Sequence, residues 1–136
     1  NVVAISEASR PWMNVELVKE CGIVPYLLYK DHGCNVTIVG APGEDYPYLT
    51  LMDGMKMELL EDGRRETKAG YIREHARDID LLILRGIAMD AIWVAEEYKK
   101  HNPNGLIYCA LDVSSEFVDR IPFYEQPYSN FFESLY

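Results

Sequence analysis

Four short apolar runs punctuate the chain, at residues 2–5, 36–39, 81–84 and 106–111. None of them alternates apolar with polar positions. Strands of that texture suit burial on both faces, the situation of a parallel sheet covered by helices. Helix-like segments separate the runs. Sheets of this kind bind ligands at the carboxyl ends of their strands, so the rhythm already says where a site should lie.

The segments between the runs fill in the picture. Residues 14–32 read as helical, with Gly22 and Pro25 as interruptions, which predicts two helical pieces or a kink. His32-Gly33 is a helix stop in which the glycine can turn left-handed. Met55, Met57 and Leu59 alternate with Lys56 and Glu58, as in an edge strand with one wet face. Residues 63–68 read as a charged loop. Ala69, Ile72, Ala76 and Ile79 then recur at helical spacing, one stripe laid on the sheet. Asp90 is an N-cap candidate for a helix whose apolar face is Ala91, Val94, Ala95 and Tyr98. Glu96, Glu97, Lys99 and Lys100 face water, and the lysine pair complements the helix dipole. A short helix over 113–120, capped by Ser114 or Ser115, follows the last run. The expected fold is therefore α/β: a doubly wound, mainly parallel Rossmann-like sheet with helices on both faces, a three-layer sandwich.

Residues 1–136 read as a single domain of this kind. The chain opens without Met, directly at a strand, and reads as a fragment. Phe123, Tyr124, Tyr128, Phe131, Phe132 and Tyr136 crowd a tail, residues 121–136, where a further strand is expected. That tail reads either as cut short or as an aromatic cover for a surface that a further segment occupies.

Charge and cysteines narrow the function classes. A net charge of −9 argues against a nucleic-acid partner, whose phosphates call for Lys and Arg. The largest basic group, Arg64, Arg65 and Lys68, is surrounded by Glu61, Asp62 and Glu66 and reads as a solvated loop. Cys21, Cys34 and Cys109 form no metal-like spacing with His32, His75 or His101, and no metal or cofactor is expected. Their wide, odd arrangement fits reduced thiols in the cytoplasm. No apolar stretch is long enough to span a membrane. The interrupted stretch 21–29 (CGIVPYLLY) reads as core packing of a kinked helix; the alternative is a weak contact with a membrane surface or a lipid-linked acceptor.

Glycine-rich dinucleotide and phosphate loops, the GxSxG elbow and the HExxH helix are all absent. Position is what remains. Three loops follow strands expected to be parallel and should converge on one rim: 6–12, 85–90 and 112–115. They give the substrate-binding candidates Ser9, Arg10, Trp12, Arg85, Gly86, Asp112 and Ser114. Arg85 can grip phosphate or carboxylate with two prongs, or pair with Asp112 or Glu7 as a structural ion pair. Gly86 lets a ligand approach the backbone. Asp112 orients a hydroxyl, acts as a base or caps the next helix. Arg10 and Trp12 suit a sugar platform or a surface loop. His32 and His101 lie near helix ends and His75 within a helix, away from the rim.

Three phrases carry a resemblance: GIVPYLLYKDHGCNVTIV (22–39), YIREHARDIDLLIL (71–84) and YKKHNPNGLIYCALDVSSEFVDRIP (98–122). Through them the chain resembles the N-terminal domain of bacterial GT-B-fold glycosyltransferases of the large retaining group 1, or family 4. The resemblance implies an acceptor-binding domain, a sugar acceptor and a nucleotide-sugar donor as partners, and a separate C-terminal donor domain carrying paired glutamates. It implies retaining, metal-independent transfer. The family's glycine-rich first loop is replaced here by Ser6-Glu7-Ala8-Ser9-Arg10-Pro11, and Arg85-Gly86 stands where many members carry a histidine. The alternative reading is a stand-alone flavodoxin-like or receiver-like binding module, or a protein-interaction module.

Overall fold

A computed structural model describes residues 1–5, 20–40, 53–85 and 89–110. Five strands, β1 (Val2–Ile5), β2 (Val36–Gly40), β3 (Lys56–Leu59), β4 (Leu81–Arg85) and β5 (Leu106–Ala110), form one sheet in the order β3-β2-β1-β4-β5. Every pairing is parallel. Three helices accompany them: α1 (Glu20–His32), α2 (Arg65–His75) and α3 (Met89–His101). A 3-10 turn, Ala76–Asp78, closes α2. The expected α/β, Rossmann-like class is the observed one.

The chain steps one way from β1 to β2 and the other way from β3 to β4 to β5. Crossovers of a single hand must then lay helices on opposite faces, and the two cores follow. On one face Val2, Ala4, Val36, Ile38 and Ile83 pack with Val24, Leu28 and Tyr29 of α1. On the other, Val3, Ile5, Val39, Leu82 and Leu84 pack with Ile72 of α2 and Val94 and Tyr98 of α3. Successive strand residues alternate between these clusters, which is why the runs carry no polar position apart from the half-buried Thr37.

Several boundaries differ from the sequence reading. Helix α1 runs unbroken through Pro25, which is itself buried. The missing N–H of Pro25 removes one bond, to the Cys21 carbonyl, and does not divide Glu20–His32 into two helices. The stop at Gly33 is as expected: its φ is +64°, and its N–H and that of Cys34 cap the carbonyls of Tyr29 and Leu28. Helix α2 begins at Arg65, so Arg65 to Lys68 belong to a helix and not to a loop. The described helix α3 (Met89–His101) contains Asp90 as a helical residue, so Asp90 is not its N-cap.

Both edge strands are more open than the pattern suggests. β3 lies at one edge, but Leu59 is exposed and Glu58 half-buried, so its faces are not cleanly wet and dry. At the other edge, Leu106 and Tyr108 of β5 point to the α1 side yet stay 66% and 45% exposed. Helix α1 covers β1, β2 and β4 and does not extend over β5. In α1, Ile23 and Leu27 face solvent while Gly22 and Pro25 are buried. No described helix is long and apolar enough to cross a membrane.

Candidate functional site

In a parallel sheet the carboxyl ends of all strands share one rim, and the returning helices present their amino ends to it. Here that rim is formed by Ile5, Gly40, Leu59, Arg85 and Ala110, with the starts of α2 and α3 beside it. Helix C-termini, and with them His32, His75 and His101, lie at the opposite end of the sheet.

Arg85 is the last residue of β4 and stands in register with Ala110. Of the other predicted contacts, Ser9, Arg10, Trp12, Gly86, Asp112 and Ser114 lie outside the described residues. The described part of the rim offers different groups. Leu60 continues the ladder beyond β3 through a hydrogen bond from its N–H to the Gly40 carbonyl, 2.8 Å. A tight acidic turn follows. Asp62 Oδ1 accepts from the Arg64 N–H at 2.9 Å and from Thr67 Oγ1 at 2.5 Å. The Thr67 hydroxyl, then the Arg64 amide, hold the Asp62 carboxyl below its ordinary range. An Asp two residues ahead of the helix N-cap is the side chain suited to this turn.

Helix α2 starts beyond it. Its N-cap residue, Arg64, has extended backbone and supplies no side-chain cap. The Arg65 guanidinium lies 3.6 Å from the centroid of the Trp93 ring on α3, joining the amino ends of both helices. Such a stack is worth about 0.5–1 kcal/mol at an exposed site. Trp93 remains 44% exposed, so part of the indole stays open to a ligand. One turn into α2, Lys68 is 5% exposed, on the stripe that continues through Ile72 and Ala76.

The sequence reading missed both groups. Arg65 and Trp93 are 28 positions apart and meet only because α2 and α3 pack side by side. Lys68 did carry a signal: it precedes Ile72 by four and Ala76 by eight, the spacing of the buried stripe. Its charge hid that spacing among Arg64, Arg65 and the neighbouring acids.

Further along α2, Tyr71 stacks at a tilt on His75, ring centroids 4.5 Å apart. Burial, then the charge of Glu58, pushes the Tyr71 phenol up to about 12. The folded state therefore resists the phenolate more than the unfolded chain does. The resulting stabilisation is whole below about pH 10 and is lost as pH rises from there through about 12. Urea titrations between pH 9 and pH 12 should show the native chain losing stability more steeply than Tyr71→Phe. Parallel curves would contradict this assignment.

Among the described residues no group of three or more His, Cys, Asp or Glu is placed to hold a metal ion. What they offer is recognition: an aromatic face, a guanidinium, helix amides and a buried ammonium. Comparison with protein-family models, curated proteins and solved structures finds no match to this chain.

Proposed function

We propose that this chain is the acceptor-binding domain of a glycosyltransferase that moves a sugar from a nucleotide-sugar to a carbohydrate or lipid-linked acceptor. One observation carries the reading: the Arg65–Trp93 stack at the rim of an open parallel sheet, with the indole half-exposed. A flat aromatic surface next to a charged fork suits a sugar ring, whose C–H face stacks while its hydroxyls hydrogen-bond. Arg85 ends β4 at the rim, and an arginine at that place in the chain suits a donor phosphate brought by a second domain. This domain's contribution would be positioning.

Two measurements test the reading. Sequencing the parent reading frame beyond Tyr136 should find a second α/β domain with paired glutamates. Saturation-transfer NMR with a panel of oligosaccharides should show binding that Trp93→Ala weakens about tenfold, or about 1.4 kcal/mol. A frame without that domain, or sugar binding indifferent to Trp93, overturns it. The exposed Leu106 and Tyr108 on β5 favour a second reading, a protein-interaction module. Light scattering that finds only monomer weakens self-association as that module's role.

A further inference from the structure

Lys68 is the one charged residue buried among the described residues. Its position explains the burial: it shares a face with Ile72 and Ala76, which pack onto the sheet. Helical side chains lean toward the helix amino end. From the fourth residue of α2, the Lys68 stem therefore runs back toward the rim. Among the described residues none hydrogen-bonds or ion-pairs with its ammonium. Three carboxylates of this region bond other groups: Asp62 with Thr67 and the Arg64 N–H, Glu66 with Arg65 at 3.3 Å, and Glu58 with Lys56 at 3.1 Å, while Glu61 is exposed.

The amino end of α2 is also unspent. The Lys68 N–H bonds the Arg64 carbonyl at 3.1 Å and is the first amide used inside the helix. The N–H groups of Arg65, Glu66 and Thr67 precede it, and Arg64 provides no side-chain cap. A buried ammonium without a counter-charge is costly, and a helix amino end attracts anions. Both needs are met at once by a tetrahedral oxyanion, which accepts several N–H bonds while facing a lysine.

We propose that Lys68 and the uncapped amino end of α2 form a subsite for a phosphoryl group. The inference is independent of sugar transfer, and its probes carry no sugar to be transferred.

The test is an NMR titration of the full 136-residue chain with inorganic phosphate, pyrophosphate and a nucleoside diphosphate, at constant ionic strength with chloride as the balancing anion. The amides of Arg65, Glu66 and Thr67 should move. Lys68→Met should bind at least tenfold more weakly, while Lys68→Arg keeps the charge and binds within a few-fold of the native chain. Without phosphate, Lys68→Met should melt no lower than the native chain, because it retains the buried stem and loses the ammonium. Tighter binding of the nucleoside diphosphate assigns the group to an organic ligand; equal binding assigns it to the free anion. Unmoved α2 amides, or equal binding by native chain and Lys68→Met, overturn the proposal.

Discussion

Tyr98→Ala is expected to destabilise the fold by about 3–5 kcal/mol, the cost of emptying a buried aromatic site. Tyr98 is fully buried between α3 and the sheet. Its hydroxyl donates to the Ile79 carbonyl at 2.7 Å. Asn102 Nδ2 donates to the same carbonyl at 2.8 Å and to that of Ala76 at 3.0 Å, and Asn102 Oδ1 accepts from the Gly105 N–H at 2.9 Å. The knot ties the end of α2, the end of α3 and the entry to β5. Gly105 is part of it, since a Cβ there would collide with the Tyr98 hydroxyl. Tyr98→Phe should cost only about 0.5–1.5 kcal/mol, because Asn102 still satisfies the Ile79 carbonyl. Urea unfolding of both variants separates the two contributions. A Phe variant as damaged as the Ala variant would mean the hydrogen bond, not the volume, dominates. The knot lies at the amino end of the sheet, so ligand binding at the rim should survive in Tyr98→Phe.

Ile38→Ala is expected to cost about 2–5 kcal/mol by the same cavity argument on the other face. Ile38 is fully buried at the centre of β2, in register with Ala4 on one side and Met57 on the other. It belongs to the α1-side cluster, and Tyr98 belongs to the opposite one. The sheet stands between them and they share no packing partner. The double variant Ile38→Ala/Tyr98→Phe should therefore lose the sum of the single losses to within about 0.5 kcal/mol. Coupling well beyond that would show that the sheet transmits strain between its two faces. With stabilities of this size of domain about 5–15 kcal/mol, both single variants should remain measurable.

Much of the scaffold was legible in the chain. The four unbroken apolar runs became β1, β2, β4 and β5, and the Met–Lys–Met–Glu–Leu alternation became the edge strand β3. Ala91, Val94 and Tyr98 face the core as their spacing requires. Within the stretch 21–29, Pro25 is buried while Ile23 and Leu27 are exposed. The misreadings were local. Pro25 removes one hydrogen bond from α1 without dividing Glu20–His32 in two, and the acidic surroundings of Lys68 disguise a helix face as a loop.

The candidate site was much less legible. Sequence position marks which residues follow a strand, and so it singled out Arg85 at the end of β4. It does not mark which residues from different helices meet. Arg65 touches Trp93 because α2 and α3 are packed on the same face of the sheet. Lys68 is buried because that face closes over it.

By itself the sequence determined the class of fold. Hydrophobic period depends only on neighbours along the chain, and a run buried on both sides has few architectures open to it. Tertiary structure alone decided the order β3-β2-β1-β4-β5, the exposure of β5 beyond the reach of α1, the meeting of the Arg65 guanidinium with the Trp93 indole, and the burial of Lys68. Those depend on which face each helix covers, a choice fixed by the hand of the crossovers and by packing between residues far apart in the chain.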